Sequence, residues 1–452
     1  MKKEFISRKF YKLYFKIGFP MIVSHFITYF ASNLTIALIG NLDEKAMSGY
    51  TVANETYAVF YMLALGITSS FLIFISQYYG EGNISKVNQI IRFGTNFSFI
   101  MGLLYSVAVF LFARPFCLLY VKDPEIIEYA VEYLRFFSWT FIPYVLNLLW
   151  NGVFSFIGHS KMAMISNAIN CGCTVFFSIL LVSDYLHMNM GVSGASLAIL
   201  LARVIESLFL ITMLNHGESP FKFRIPTAHL EGHEKAAIIK KGIPLISNEI
   251  IYAAAYMVIV QSYSYASEEY LACYTVAYNI GMLNFSVHQA CPAIVGFLIG
   301  GQLGKGNFEQ ARENGDQILK ITGIYHLAQM LIMLALVPVI PRFYSLDGDL
   351  YDMAVKLLLI RAVTGGAAYV VPAIYNILKI GGDSRGVFLT DGLFALAIQM
   401  VASIVLSRYV KVPYYVLYGT VEGLNILKAL VNIAYYRKNT WLKKLEVRKN
   451  EI

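Results

Sequence analysis

Several ionisable side chains of this sequence lie inside long apolar stretches, where a charge is costly unless it has a partner. Glu249 follows Lys241 by eight residues, or ~12 Å along a helix. Glu55 lies in another apolar stretch, about two helical turns from its polar end. A carboxylate that has lost its hydration can exchange a proton. Glu249 and Glu55 are therefore the candidate ion-coupling residues, and Na⁺ at Glu249 is the alternative to a proton.

A structural role is the competing interpretation of these residues. Arg361 is predicted at a depth comparable with that of Glu249, and its own apolar stretch offers no carboxylate within a turn. A static Glu249–Arg361 ion pair is thus the structural alternative. His25 follows Pro20 by five residues and could bond a backbone carbonyl that the proline leaves free. We favour function for Glu249, because intramembrane acids are usually functional, and leave both interpretations open for His25 and Glu55.

Other polar and aromatic residues complete the candidate set. Arg203 and Glu206 are three residues apart, as are Glu132 and Arg135, so each pair can neutralise itself on one helix face. Asp391 is expected to cap a helix or to pair with Arg385. Aromatic faces attract cations, and the residues predicted to line a substrate cavity are His25, Asn279, Tyr29, Tyr278, Tyr369 and Arg361.

The elements that carry these residues occur twice. Tyr50-Thr51-Val52-Ala53 opens an apolar stretch that ends in Gly80-Glu81-Gly82-Asn83, and Tyr274-Thr275-Val276-Ala277 opens a similar one that ends in Gly304-Lys305-Gly306-Asn307. The offset of 224 residues also matches Pro20 with Pro244, Asp123 with Asp347, and His25 with Glu249. The chain therefore consists of two copies of one unit.

The amino-acid composition indicates that both copies fold in a lipid bilayer. Hydrophobic residues make up 57% of the 452 residues, charged residues 14%, and the mean hydropathy is +0.58. Such a chain cannot cover a water-soluble surface. About twelve apolar stretches reach the ~20 residues that cross a bilayer. The sequence predicts an all-α integral membrane protein of twelve transmembrane helices in two six-helix, parallel-repeat lobes with a central cleft, and helix breaks at Pro20 and Pro244.

Basic residues indicate the orientation of the chain. About half of them lie in the first 16 residues, between Lys222 and Lys241, or after Tyr436, and such an excess marks the cytoplasmic side. We expect an N-lobe at 1–214, a cytoplasmic linker at 215–238 and a C-lobe at 239–452, in a multi-pass plasma-membrane protein with both termini cytoplasmic. The net charge of +8 follows this topology, so no nucleic-acid partner is expected.

Several of these stretches resemble a known family. Phe74-Ile75-Ser76-Gln77-Tyr78-Tyr79-Gly80-Glu81-Gly82-Asn83 and its copy Gly300-Gly301-Gln302-Leu303-Gly304-Lys305-Gly306-Asn307 are similar to the characteristic stretch of the MATE (multidrug and toxic compound extrusion) transporters of the MOP flippase superfamily. Further matches, which extend the resemblance over nearly the whole chain, are Pro20, Pro244 with Asn248-Glu249, Gly381-Gly382-Asp383 and Trp441.

This resemblance implies a six-plus-six helix architecture. It also implies an antiporter that exports amphipathic, often cationic compounds in exchange for protons or sodium ions, and lobes that rock in alternating access. The helices that carry His25, Glu55, Glu249 and Asn279 would then line the central cleft.

The sequence departs from the family at three acidic positions. Thr35 stands where a first-helix acid is usual, and Asn425 where an acid is expected three positions before Lys428. The tenth apolar stretch holds no acid beyond Asp352 at its edge. The coupling scheme of other members therefore cannot be copied, and with the tenth-helix acid missing we favour a proton carried by Glu249.

Rival functions are less well supported by the sequence. It contains no H-E-x-x-H, no G-x-S-x-G and no paired intramembrane Asp residues, so an enzyme is not expected. The alternative is a lipid-linked saccharide flippase of the same superfold, although basic residues do not cluster in the predicted cleft. A channel is disfavoured because no charged ring or filter-like loop is visible. We expect a monomer that needs no cofactor beyond H⁺ or Na⁺, with a small-molecule substrate and membrane lipid as its partners.

Overall fold

The computed structural model describes residues 7–40, 44–182, 190–215, 230–285, 287–344 and 346–445. Every regular element in these ranges is helical, which confirms the all-α class. The helices are α1 Arg8–Gly40, α2 Glu44–Glu81, α3 Ile84–Leu111, α4 Ala113–Cys117, α5 Pro124–Phe137, α6 Phe141–Phe156, α7 Ser160–Val182, α8 Gly191–Asn215, α9 Gly232–Ala266, α10 Leu271–Phe285, α11 Cys291–Val295, α12 Gly301–Gly304, α13 Phe308–Leu336, α14 Ile340–Phe343, α15 Gly348–Ile380, α16 Ser384–Thr390, α17 Gly392–Phe394, α18 Val401–Ile404 and α19 Tyr414–Tyr436.

Length and composition suit many of these helices to a bilayer. Eight described helical segments, including Ser384–Val410, are long and apolar enough to cross a membrane. Large apolar side chains such as Leu104, Met257 and Leu331 are exposed on them, as expected where lipid is the solvent. The centres of the twelve predicted stretches all fall on helical residues, so the fold is consistent with the twelve-helix prediction.

The internal repeat is visible in the helix starts. α1, α3, α5 and α7 begin 224 residues before α9, α13, α15 and α16, respectively. The caps repeat as well, because Asn83 accepts a hydrogen bond from the Lys86 N–H and Asn307 accepts one from the Gln310 N–H. The residue before each cap is a glycine with positive φ, +84° at Gly82 and +73° at Gly306, a conformation that favours glycine. The two sequence copies therefore fold alike locally.

The predicted breaks at Pro20 and Pro244 are corrected by the structure. α1 runs through Pro20 and α9 runs through Pro244. A proline removes one backbone hydrogen bond, and a membrane helix tolerates this loss where neighbouring groups satisfy the freed carbonyl.

Two compact units divide the chain. The C-unit comprises Met1–Lys16 and Ile243–Glu446, and the N-unit comprises Ile17–Gly242 and Val447–Ile452. The predicted lobes place residues 1–16 and 239–242 in the opposite halves. Contacts explain the observed division, because the Ser7 N–H donates to Gln317 Oε1 over 3.2 Å in the C-unit, and Lys86 Nζ lies 2.5 Å from Glu234 Oε1 in the N-unit.

Part of the predicted linker at 215–238 is helical. α9 begins at Gly232, inside that range. Residues 216–229 lie outside the described ones, so the rest of the linker stays a prediction.

Each unit has its own core. Phe60, Tyr133 and Phe141 belong to the core of the N-unit. Tyr263, Leu357 and Tyr418 belong to that of the C-unit, with at most 2% of each side chain exposed. The C-unit core thereby fixes α9, α15 and α19, the helices that carry Glu249, Arg361 and Glu422.

Candidate functional site

Glu249 lies on α9 within a small polar group of the C-unit. Its Oε1 accepts a hydrogen bond of 2.5 Å from the Tyr375 hydroxyl of α15. Lys379, one turn later on α15, places its Nζ 4.9 Å from the centroid of the Tyr375 ring, and its charge attracts the Glu249 carboxylate. All three side chains are partly exposed. They form the Glu249 site, which combines an acid, a hydroxyl and a base.

A buried polar contact fixes the backbone beside this site. Asn248 is fully buried, and its amide donates to Asp391 Oδ2 over 2.9 Å and accepts from the Gly392 N–H over 2.9 Å. Asp391 Oδ1 in turn lies 2.6 Å from Lys428 Nζ of α19. Asp391 was predicted to cap a helix or to pair with Arg385. It stands at the N-cap of α17 without a side-chain cap hydrogen bond, and its ionic partner is Lys428. Arg385 is exposed, whereas the buried Lys428 needs a counter-charge.

A series of four tyrosines continues from the Glu249 site. Tyr252 and Tyr256 on α9 stack with centroids 6.4 Å apart. Tyr256 and Tyr274 share a hydroxyl hydrogen bond of 2.8 Å, and Tyr274 stacks on Tyr278 at 5.9 Å on α10. We call these four residues the tyrosine ladder. Of the predicted cavity residues, only Tyr278 belongs to it.

Arg361 pairs with an acid other than Glu249. Its Nη1 lies 2.8 Å from Glu422 Oε2 on α19, in place of the Glu249–Arg361 ion pair that was the structural alternative. Asn425 also donates to Glu422 Oε2, over 3.2 Å. Gly281 makes room for the guanidinium, since a Cβ at that position would lie 2.7 Å from Arg361 Nη2. Arg361 is therefore held away from Glu249 by an acid that the sequence reasoning overlooked.

The remaining candidates are spread over both units. In the C-unit, Tyr369 is buried and stacks on His288 at 4.1 Å, and Asn279 is half-buried on α10. In the N-unit, His25 is half-buried and Tyr29 is exposed on α1. Glu55 is half-buried on α2. Burial, and secondly the Glu55 charge, raise the pKa of Tyr120 in the turn after α4.

The predicted Arg203–Glu206 pair is also corrected. Glu206 is 4% exposed and accepts hydrogen bonds from neutral donors on α6 and α7, which are Asn147 and Asn151 at 2.8 Å, Ser166 at 2.9 Å and Asn170 at 3.0 Å. Arg203 stacks instead over Tyr144, 4.6 Å from its centroid, and donates to Thr140. The direct contacts of the carboxylate are thus four neutral donors. The Glu132 carboxylate similarly accepts from Ser193 over 2.9 Å.

Sequence reasoning missed the residues that complete the Glu249 site. In the sequence, Tyr375 is one of many aromatic residues, and Lys379 stands at the end of an apolar stretch, where a lysine is common. Glu422 carried a usable signal, because it is an acid inside the last apolar stretch. A search for every charged residue flanked by apolar residues on both sides would have found it.

Known proteins provide an independent comparison. A model of the MatE family matches residues 20–180 and 244–407, two segments that begin at the repeated prolines. The chain is 18% identical to "Probable multidrug resistance protein NorM" of Agrobacterium fabrum, over 65% of this chain and 63% of the relative. It is 21% identical to the protein of that name from Streptococcus pneumoniae strain R6, over 66% of this chain and 67% of the relative. The alignments thus span about two thirds of these relatives.

Solved structures agree with the fold. The structure entitled "Outward-facing conformation of a multidrug resistance MATE family transporter of the MOP superfamily" superposes with a TM-score of 0.85 at 18% identity, and covers 95% of both chains. The matched family consists of transporters and not of enzymes. Because the family model covers both halves of the sequence, the chain belongs to the MatE family.

Proposed function

We propose that this protein is a secondary active antiporter that exports amphipathic, including cationic, compounds in exchange for protons. The observation that carries the proposal is the Glu249 site, where a partly exposed carboxylate on a membrane helix meets the Tyr375 hydroxyl at 2.5 Å. Family membership supports the transport class, and the relatives named as multidrug resistance proteins support the kind of substrate.

In the proposed cycle, Glu249 binds either a proton or the positive group of a substrate. Facing outward, the carboxylate takes up a proton and loses its attraction for the substrate, which leaves. Facing inward, it releases the proton and binds substrate again. The two states are mutually exclusive because one charge serves both, and rocking of the lobes exposes the site to each side in turn.

A proton suits the Glu249 site better than sodium. Sodium needs several oxygen ligands around one point, whereas Glu249 meets a donating hydroxyl and a lysine, and the nearby Asp391 carboxylate is already paired with Lys428. Within the described ranges, no group of three or more His, Cys, Asp or Glu side chains could hold a metal ion. Glu55 and Asn279, the other predicted ligands, have no described contact with the site, so a sodium site would need a rearrangement.

The proposal includes a place in the cell. The basic termini favour a multi-pass plasma-membrane protein with cytoplasmic ends. The monomeric state is part of the proposal. The saccharide flippase remains the alternative, but the match to the MatE family model and the relatives named as multidrug resistance proteins favour the antiporter.

The test replaces Glu249 by Gln in purified protein reconstituted into liposomes, with efflux of a cationic dye followed under a pH gradient or a sodium gradient. We expect gradient-driven efflux to fall by more than about tenfold, because a neutral amide can neither carry the proton nor hold the cation. Glu128→Gln is the matched control, since Glu128 is exposed and pairs with Arg114. Full antiport in Glu249→Gln under either gradient contradicts the proposal.

A further inference from the structure

Two exposed cations flank one tyrosine of the C-unit where α16 meets the end of α19. Lys438 Nζ lies 5.1 Å from the centroid of the Tyr435 ring, and the Arg385 guanidinium interacts electrostatically with the Tyr435 hydroxyl. Both cationic side chains are exposed. Within the part of the chain that the structure describes, neither cation belongs to an ion pair. We call these three residues the basic site.

Contacts between α16 and the end of α19 hold the basic site together. A Cβ at Gly386 would overlap the Tyr435 ring, so the ring lies directly on the backbone beside Arg385. The neighbouring acid, Asp383, is 6% exposed. Its Oδ1 accepts from the Gly386 N–H over 3.0 Å, and its Oδ2 accepts from the Thr440 hydroxyl. The carboxylate is thus bonded inside the protein, whereas the two cations face outward.

Exposed apolar side chains continue from the basic site along both helices. Leu389 follows Arg385 by four residues and is 48% exposed. Val431 and Leu427 precede Tyr435 by four and eight residues and are 38% and 45% exposed. Residues four apart lie on one helix face. Eight residues of helix span ~12 Å, which approaches the ~15 Å depth of one leaflet, half of the hydrocarbon core. An acyl chain therefore fits beside this apolar strip.

We propose that the basic site binds an anionic phospholipid, with the phosphate between Arg385 and Lys438 and one acyl chain along Leu389, Val431 and Leu427. The end of α19 is predicted to be cytoplasmic, and anionic lipids give the cytoplasmic leaflet its negative surface potential. A soluble phosphate compound would contact the two cations but not the apolar strip, so the combination favours a lipid. This peripheral site does not depend on the proposed antiport.

The test compares two lipids with the same acyl chains. Dioleoyl phosphatidylglycerol carries a net negative charge, and dioleoyl phosphatidylcholine carries none. Native mass spectrometry of the purified protein in detergent counts the bound lipid molecules and gives the dissociation constant of the first one. We expect the native protein to bind phosphatidylglycerol about tenfold more tightly, because two cations attract its net charge.

Variants assign this preference to the basic site. Arg385→Gln combined with Lys438→Gln should abolish it, and Arg385→Lys combined with Lys438→Arg should keep it. The matched control is Lys305→Gln combined with Arg312→Gln, which removes the same charge at two other exposed positions of the C-unit and should leave the preference unchanged. Leu389→Asn should weaken the binding of both lipids, since it places a polar group against the acyl chain.

Three results contradict the inference. They are equal binding of the two lipids by the native protein, an unchanged preference in the double glutamine variant, and displacement of phosphatidylglycerol by an equal concentration of glycerol 1-phosphate, which would indicate a soluble phosphate compound. Circular dichroism shows whether each variant is folded. If the double glutamine variant is not, Leu389→Asn decides, because unchanged affinity for both lipids would mean that no acyl chain contacts the strip.

Discussion

Pairing among the acids and bases of the C-unit decides which of them can change charge during transport. Glu422 and Asp391 each contact a cationic nitrogen within 3 Å, at 2.8 and 2.6 Å. The hydrogen bond described at Glu249 comes instead from the neutral Tyr375 hydroxyl. Protonating Glu422 or Asp391 would remove a direct ion pair, so Glu249 is the acid at which a proton does the least structural damage.

The Arg361–Glu422 pair gives a prediction at the scale of residues. Arg361→Met and Glu422→Gln should each destabilise the protein by about 3 kcal/mol, because each leaves a largely buried charge unpaired. The loss of stability in the double variant should be smaller than the sum of the losses in the two single variants. Thermal unfolding in detergent measures all three.

Glu249→Gln is the control for this comparison of single and double variants. Its effect should simply add to that of Arg361→Met, because these side chains have no described contact. Two results would show that the Arg361–Glu422 pairing is wrong. One is a strongly non-additive effect of Arg361→Met and Glu249→Gln on stability, and the other is a simply additive effect of Arg361→Met and Glu422→Gln.

Residue positions were more predictable than residue partners. Counting residues from Lys241 places Glu249 in the membrane, and the structure keeps it on a membrane helix. The partner of Arg361 could not be found in this way. Glu249 and Glu422 lie on α9 and α19, and the rotation of each helix, which packing determines, selects the acid that meets the guanidinium.

The sequence repeat predicts where helices start but not how the segment after the last helix packs. The offset of 224 residues locates the starts of four helix pairs, because caps such as Asn83 and Asn307 are local signals. It does not predict how the chain after α19 folds. Trp441 is fully buried and stacks on Tyr436 at 5.4 Å, and it covers the end of α15, the helix that supplies Tyr375 and Lys379.

Gly381 gives a prediction at the scale of elements. A Cβ at Gly381 would overlap the Trp441 backbone carbonyl oxygen. Gly381→Ala should therefore displace the segment after α19 and destabilise the protein by about 1–3 kcal/mol, as overpacking does. The control is Gly301→Ala, because nothing lies within 4 Å of a Cβ there. Equal unfolding temperatures for the two variants would show that the Trp441 contact does not restrain α15.

At the scale of the whole molecule, the first residues of α1 and of α9 each belong to the opposite unit from the rest of the helix. Residues 1–16 belong to the C-unit although the rest of α1 lies in the N-unit, and α9 leaves the N-unit after Gly242. Sequence similarity predicted equivalent helices but assigned each one whole to a lobe. The exchange could not be predicted, because it depends on contacts between residues far apart in sequence, such as Ser7 with Gln317 and Lys86 with Glu234.

The Lys86–Glu234 pair gives the prediction at the scale of the molecule. Its atoms lie 2.5 Å apart, with side-chain exposures of 24% and 11%, so it is better shielded from water than a surface pair. Lys86→Glu or Glu234→Lys should each place like charges together at the start of α9, with a cost of about 1–3 kcal/mol. The double charge swap should recover most of the loss, in unfolding temperature and in gradient-driven efflux. Lys45→Glu is the control, because its partners Asp123 and Glu125 are 39% and 57% exposed and screening by water leaves little effect. A double swap no better than either single variant would mean that this pair does not hold the start of α9 on the N-unit.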